Sequence, residues 1–296
     1  MAAAKPTTMD EIIKRVDELP TLPTIVYELN QVINDPLAAA ADVEKIMIND
    51  QSLTARVLKL VNSAYYAIPG GVSNLTRAIA YLGFDVVQQL VLTASVLDTT
   101  AGDGPENGLN MKQFWLHSMG VAIAAETIGK HLQHKSPADL FTAGLLHDLG
   151  KVALQMINPE LMAEIVKHAV STGMTIDEAE AAFKNVKHTT LGKLLTEKWR
   201  LPRKIQVAAQ FHHELDPAAR QGVSVELHEI VDIVALANMM IHALKFGSSG
   251  HQKVLGFSKS MLVRLNLPAD QMKDLVEKIK KGLASADGIL RIVGGQ

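Results

Sequence analysis

The segment LFTAGLLHDLGK, residues 140–151, is an apolar run that stops to place a histidine beside an aspartate, His147-Asp148. A Ser-Pro pair at residues 136–137 is a helix start signal and Gly150 is a typical stop signal. We therefore predict one helix with His147 and Asp148 in its last turn. A helix that is apolar on almost every side has to be buried. The carboxylate of Asp148 then needs a partner, because burying an unpaired charge is costly.

The rest of the chain favours helices as well. Apolar residues recur with the helical period, as in SLTARVLKLVNSAYY at residues 52–66, whereas strict alternation of apolar and polar residues is rare. We expect another long helix from about Leu75 through Leu97. The predicted fold class is therefore all-α.

Breaks in the helical pattern divide the chain into three predicted segments. The clearest loop is TTAGDGPENG at residues 99–108, and a Gly/Ser break follows Phe246. Residues 1–105 are predicted to form an N-terminal helical lobe, residues 106–245 a helical core and residues 246–296 a C-terminal helical extension.

The composition excludes several classes of protein. Lys and Arg number 29 against 31 Asp and Glu, so the net charge of −2 gives no general attraction to nucleic acid or to an acidic membrane. The chain has no cysteine, which excludes disulfides and thiolate metal ligands. The opening MAAAKPTTMDE lacks the apolar core of a secretory signal, and no apolar run approaches the ~18–20 residues of a membrane span. We expect a cytoplasmic protein that binds neither nucleic acid nor a membrane.

Histidines stand on several faces that should be buried. The helical period places five of the 11 histidines on or next to apolar faces, namely His117, His147, His188, His212 and His213. Asn110 is the expected N-cap of the helix that carries the first of these. The other histidines are interpreted as ordinary surface or core residues, namely His131, His134, His168, His228, His242 and His251.

Two interpretations of the five histidines remain open. A single histidine on an apolar face is usually a core residue whose ring nitrogens are hydrogen-bonded, and Asp148 can pair with Lys151 three residues along the chain. The whole set is harder to explain in that way. Five imidazoles and a carboxylate would each need hydrogen bonds in one core, whereas a divalent cation satisfies several of them at once. Imidazole and carboxylate ligands without thiolate suit iron, zinc, manganese or nickel.

The same residues resemble a known series of metal ligands. His117, the pair His147-Asp148 within LLHDLGK, His188 and the pair His212-His213 are similar to the ligand series of the HD superfamily of phosphohydrolases, in the two-metal form of HD-GYP proteins. Three segments before them, LPTLPTIVYELNQVINDP, INDQSLTARVLKLVNSAYY and LTRAIAYLGFDVVQQLVL, look like the HDOD domain, the HD-related output domain of bacterial signalling proteins. The likeness covers roughly residues 19–244, and the ordered series of segments is highly specific.

The resemblance implies an HD-like helical bundle with an N-terminal helical lobe and one or two divalent ions, with iron as the first expectation. In the related hydrolases, the first ion would be held by His117, His147, Asp148 and a further aspartate, and the second by Asp148, His188, His212 and His213. Asn238 matches the position of the further aspartate, and a neutral amide is a weaker ligand than a carboxylate. In addition, LDPAARQG stands where HD-GYP proteins have their Gly-Tyr-Pro segment.

Three functions follow as alternatives. The first is a regulatory output protein of bacterial signal transduction, with a metal site, a signalling partner protein and a small phosphorylated or nucleotide ligand. The second is a metal-dependent phosphohydrolase acting on a nucleotide or a cyclic dinucleotide, with Asp148 and Lys151 as its catalytic residues. In the third, the histidines are hydrogen-bonded core residues without a metal. The role of Lys151 is open in the same way, because it can contact a phosphate or pair with Asp148. We prefer the first function.

Overall fold

A computed structural model of the chain describes residues 9–33, 39–100, 108–183 and 186–286. All regular secondary structure in these ranges is helical, which confirms the predicted all-α class. In chain order the α-helices are α1 Met9–Glu18, α2 Thr24–Ile33, α3 Ala40–Met47, α4 Gln51–Val61, α5 Leu75–Leu82, α6 Phe84–Thr99, α7 Met111–His131, α8 Pro137–Leu146, α9 Leu149–Ile157, α10 Pro159–Thr172, α11 Ile176–Ala182, α12 His188–Lys198, α13 Arg203–Phe211, α14 Val225–Leu244, α15 Lys259–Arg264 and α16 Met272–Ser285.

The described residues form two compact units. The first contains residues 9–19 and 108–279, and the second contains residues 20–100 and 280–286. Helix α1 belongs to the first unit because it packs against α9 and α12. Lys198 fixes it further by donating hydrogen bonds to backbone carbonyls near its end, including that of Val16 at 2.9 Å. Most of the loop predicted at residues 99–108 lies outside the described residues, so a segment boundary near residue 105 stays a proposal.

The second unit holds helices α2 to α6. The predicted helix from Leu75 through Leu97 is wrong, because two helices occupy this stretch. Asn74 caps the first of them by accepting a hydrogen bond from the backbone N–H of Arg77. Gly83 separates them with φ +84°, a left-handed conformation that favours glycine over other residues. The chain therefore turns at Gly83 instead of continuing one straight helix.

The core of the first unit lies between α7, α8 and α14, and it continues through α13 and α12 to α9. Helix α7 begins as predicted, with the Asn110 side chain accepting a hydrogen bond from the backbone N–H of Gln113. By length and hydropathy alone, α14 could cross a membrane, but 67% of its most apolar window is buried inside the protein. That burial is typical of the central helix of a soluble protein.

Gly150 does not end a helix. Helix α8 stops at Leu146, and the backbone breaks at Asp148, whose φ and ψ are −98° and 13°, before α9 begins. Gly150 lies in the first turn of α9, where an added Cβ would come within 1.7 Å of the carbonyl oxygen of His188. The predicted single helix with Gly150 as its stop is therefore wrong. The glycine allows the backbones of α9 and α12 to touch.

The C-terminal part of the first unit is attached through an ion cluster around the buried Asp232. Asp232 on α14 accepts from Arg220 at 2.5 Å and from the Nε of Arg264 at 2.7 Å. Arg264 also donates to the carbonyl oxygen of Leu215 at 2.9 Å. Because Arg264 belongs to α15, this cluster holds the helix of the predicted extension on the core.

Candidate metal centre

The side chains predicted as ligands lie together in the first unit. Within the described residues, two groups can each place one ligand atom per residue within 4.8 Å of the others. One group is Asp148, His188, His212 and His213, and the other is His117, His147 and Asp148. His213 is half-buried, and every other member is buried. Asp148 belongs to both groups and is therefore the centre of the cluster.

The ends of helices bring these side chains together. His147 and Asp148 occupy the junction between α8 and α9, His188 is the first residue of α12, and His212 directly follows α13. His117 comes from the second turn of α7. The contact that Gly150 permits between α9 and α12 brings His188 close to Asp148.

The two carboxylate oxygens of Asp148 face different neighbours. Oδ1 lies 3.4 Å from Nε2 of His188 and 3.3 Å from Nε2 of His212. Oδ2 lies 3.3 Å from Nε2 of His147 and 2.7 Å from the ammonium of Lys151. The Lys151 ammonium also donates to the carbonyl oxygen of Ser249 at 3.2 Å. Lys151 is therefore engaged with Asp148, as one of its two predicted roles requires.

Hydrogen bonds at Nδ1 determine the tautomer of two of the histidine rings. Nδ1 of His147 lies 2.7 Å from the carbonyl oxygen of Gly144, and Nδ1 of His212 lies 3.0 Å from that of Ala208. A carbonyl oxygen only accepts, so Nδ1 carries the proton in both rings. In the neutral rings, Nε2 then presents a lone pair toward Asp148.

Glu180 orients His188 in the same way, and sequence reasoning missed it. Its carboxylate accepts from Nδ1 of His188 at 2.8 Å and from the backbone N–H of His188 at 3.1 Å, and Glu180 is fully buried. A carboxylate behind a histidine is the usual arrangement behind metal-ligating imidazoles, because it fixes the ring and raises its basicity. The helical period of α11 carried a signal, since Glu180 lies four residues after the buried Ile176 and shares its face.

The Nε2 atoms of His188, His212 and His213 converge on one another. Nε2 of His188 lies 3.5 Å from that of His212 and 3.2 Å from that of His213. Oδ1 of Asp148 and Nε2 of His147 are both buried, and neither has a hydrogen-bond partner. Buried acceptors that face other acceptors are costly. A cation beside Oδ1 would satisfy that oxygen and the lone pairs of His188 and His212, so the residues present fit a divalent metal ion.

Asn238 lies in the cluster on the side of His117. Its Oδ1 is 3.0 Å from Nε2 of His117. An amide oxygen accepts, so the proton of this ring is on Nε2. In this arrangement Asn238 is a hydrogen-bond partner of His117. The ligand roles of both residues stay predictions.

Two histidines that were interpreted as ordinary residues border the cluster. The ring of His242 lies 4.5 Å from that of His117, and the ring of His251 stacks on His242 at 4.3 Å between centroids. His242 follows Asn238 by four residues on α14, so its position could have been predicted from the helical period. His251 lies in a segment without regular structure, and the sequence carries no comparable signal for it.

Burial keeps most of these rings neutral. Burial and the neighbouring His242 and His147 lower the pKa of His117 well below its ordinary value. The pKa of His212 falls to about 4, mainly through burial, although Asp148 opposes the shift. Burial alone would raise the pKa of Asp148, but His147 and Lys151 bring it well below its ordinary value. His117 and His212 are therefore neutral near pH 7 and Asp148 is ionised, and these are the forms that bind metal ions.

Comparisons with known proteins agree with this fold. The family model of the HDOD domain matches residues 19–215. An uncharacterised protein of Treponema pallidum (strain Nichols) is 25% identical over 264 residues, which cover 88% of this chain and 48% of that protein. The chain therefore spans about half the length of the curated relative it matches.

Solved structures share the fold over nearly the whole chain. An HDOD domain protein of Geobacter sulfurreducens is 27% identical with a TM-score of 0.71, and the match covers 97% of both chains. A protein of Shewanella amazonensis SB2B, named as a candidate phosphohydrolase, is 23% identical with a TM-score of 0.71 over 96% of both chains. A protein of Marinobacter aquaeolei VT8, named as a candidate signal transduction protein, is 18% identical with a TM-score of 0.74, over 96% of this chain and 64% of that one.

Proposed function

We propose a regulatory role in bacterial signal transduction for this chain, which belongs to the HDOD domain family. In this proposal the buried cluster binds one divalent transition metal ion and performs little or no hydrolysis. The surface of the protein binds a signalling partner protein, and the cluster responds to a small phosphorylated or nucleotide ligand. Membership of the HDOD family, together with the one similar structure named as a candidate signal transduction protein, supports the general class of function. The geometry of the cluster supports the metal.

The observation that carries the metal proposal is the set of lone pairs around Oδ1 of Asp148. The residues that would hold the ion are Asp148, His188, His212 and His213, because their ligand atoms lie within 4.8 Å of one another. Nε2 of His188 and Nε2 of His212 present lone pairs, since the proton of each ring is on Nδ1. Three imidazoles and one carboxylate suit iron, zinc, manganese or nickel. Such an ion supplies Lewis-acid polarisation of a phosphoryl oxygen in hydrolases.

The surroundings of Asp148 favour regulation over efficient hydrolysis. Asp148 is the one carboxylate in both ligand groups of the described residues, since Asn238 is neutral and Glu180 faces the far side of His188. Lys151, which would contact a phosphate in a hydrolase, is buried and engaged with Asp148 and Ser249. A substrate would have to displace these contacts before it met the cluster.

Metal analysis of the purified protein tests this proposal. We expect about one equivalent of transition metal per chain after loading, and a large loss in His212→Ala and His188→Ala, because each removes a ligand. His168→Ala is the matched control, because His168 lies on α10 and its ring contacts Phe183, outside the cluster. Equal metal content in all four proteins, or none in any, would remove the metal from the proposed function.

Glu180→Gln should weaken metal binding without removing a ligand. The amide keeps the size and an acceptor for His188 but loses the charge that makes the ring more basic, and changes of this kind cost about 10–100-fold in metal affinity. Titration calorimetry with Zn²⁺ measures the affinity. Glu178→Gln is the control, because Glu178 lies on the same helix and pairs with Lys253 at the surface. If both variants bound zinc as the unchanged protein does, the role of Glu180 would be structural only.

A phosphohydrolase remains the second candidate, favoured by the intact histidine series together with Lys151. Metal-loaded protein incubated with nucleotides and cyclic dinucleotides would then release phosphate or a linear product. Turnover that is lost in Asp148→Ala would replace the regulatory proposal with this one.

A further inference from the structure

We infer that a cavity beside the first turn of α7 binds a small oxyanion, that is, a ligand with a phosphate or a carboxylate group. The cavity lies in the first unit and outside the two ligand groups around Asp148. Its occupation does not depend on a metal ion, so the inference goes beyond the proposed function.

Three parts of the first unit form the cavity, which has a volume of about 120 Å³. They are residues 108–110, helix α10 with Val166 and Val170, and residues of the segment 248–252 that follows α14. A cavity needs only about 10–15 Å³ to hold one water molecule. This cavity therefore has room for a ligand of several non-hydrogen atoms.

The first turn of α7 favours negative charge in the cavity. The first N–H groups of a helix have no acceptor within the helix, and the aligned peptide dipoles place partial positive charge there. Helix α7 is 21 residues long, and the Asn110 side chain accepts from one of these groups, the backbone N–H of Gln113. Among the described residues that line the cavity, none is acidic. The surroundings of the cavity thus suit an anion.

Two buried nitrogens beside the cavity lack a hydrogen-bond partner. One is Nδ1 of His251, a lining residue that is 6% exposed. The other is Nε2 of Gln155, which is 7% exposed and whose Oε1 accepts from the backbone N–H of Leu109, another lining residue, at 3.4 Å. An amide nitrogen donates, and a neutral imidazole donates from Nδ1 in one of its tautomers. Buried donors without an acceptor are costly, and an oxyanion would supply acceptors for both.

The cavity shares two segments with the cluster. His251 stacks on His242, which borders the cluster, and the carbonyl oxygen of Ser249 accepts from Lys151. Gln155 follows Lys151 by four residues on α9 and lies on the same face of that helix. An oxyanion in the cavity would therefore contact the two segments that hold Lys151.

Calorimetric titration of the metal-free chain tests the inference, with inorganic phosphate and acetate as separate probes. We expect one site per chain for at least one of these ions, and the ion that binds more tightly identifies the ligand group. Gln155→Leu should weaken binding about 10–100-fold, because it removes a donor to a charged ligand. Val170→Trp should weaken binding at least as much, because Val170 is 54% exposed and an indole at this position would fill the cavity.

Gln89→Leu and Val263→Trp are the matched controls. Gln89 is a buried glutamine of α6, Val263 is an exposed valine of α15, and neither lines the cavity. Both variants should bind the ion as the unchanged chain does.

Two results would overturn the inference. The first is that neither ion binds the unchanged chain, and the second is that Val170→Trp binds as tightly as the unchanged chain. The second result concerns an exposed position, so it decides the matter even if Gln155→Leu does not fold. Because all samples are free of metal, neither result bears on the proposed metal site.

Discussion

Lowering the pH from 7 to 4 should unfold the metal-free protein. Burial lowers the pKa of His212 to about 4, that of His242 to about 4 and that of His251 to about 3, and it holds that of His117 well below its ordinary value. Unfolding exposes these rings to water, where their pKa returns to about 6.5. Between these pH values the unfolded chain binds more protons than the folded one, so the free energy of unfolding decreases as the pH is lowered.

The size of this effect is large relative to the stability of a domain. For His212 alone, the shift from 6.5 to about 4 corresponds to about 3 kcal/mol at 1.36 kcal/mol per pKa unit. A folded protein is stable by only about 5–15 kcal/mol, and several further histidines add to the loss. Asp148 adds to the loss only at lower pH. Its pKa is lowered in the folded protein, so its contribution to stability is complete above the ordinary pKa range of an aspartate and is lost as the pH falls below that range.

Urea unfolding at a series of pH values between 7 and 4, in the presence of a chelator, measures the effect. The slope of the free energy of unfolding against pH gives the number of protons taken up, and His212→Gln should reduce that number by about one near pH 5. A free energy that stays constant over this pH range would show that the histidines are charged in the folded protein or exposed to water.

Asp148→Ala should cost about 3–5 kcal/mol in the metal-free protein near pH 7, because breaking a buried ion pair by removing one partner leaves the other charge buried. The charge left behind is the Lys151 ammonium, which keeps its hydrogen bond to the carbonyl oxygen of Ser249. Chemical denaturation followed by circular dichroism measures the loss.

Two further variants make the result specific. Asp148→Ala combined with Lys151→Met removes both charges and should recover part of the lost stability, since no charge is then left unpaired. Asp17→Ala, at an exposed position of α1, should stay within about 0.5 kcal/mol of the unchanged chain. If Asp148→Ala were as mild as Asp17→Ala, the pair with Lys151 would contribute nothing measurable.

Periodicity predicted much of the fold and the neighbourhood of the site. The helical class is confirmed, and the apolar faces that carry His188 and His212 are buried as expected. The helical period of the apolar residues predicted these buried faces correctly because each helix packs one side against the rest of the first unit. The pairing of Asp148 with Lys151 also followed from a spacing of three residues.

What the sequence did not predict depends on contacts between distant segments. Gly150 looked like a helix stop. Its lack of a side chain instead lets α12, which lies far along the chain, approach α9 closely. The position of His251 depends on how the segment after α14 returns to the core, and no periodic pattern describes such a segment. Glu180 could have been found, because an acidic residue on the buried face of a short helix requires a partner.

The touching backbones at Gly150 bear on ion selection. An added Cβ at this position would meet the carbonyl oxygen of His188 at 1.7 Å and the backbone nitrogen of Gly192 at 2.6 Å, so no side chain lies between the two helices there. Asp148 and His188 are attached to these backbones, which sets the gap between carboxylate and imidazole by main-chain contact. Two backbones in contact move apart less easily than a side chain changes its rotamer. We therefore expect the site to discriminate between metal ions by their radius. Its affinity should fall steeply for ions too large for the gap between Asp148 and His188.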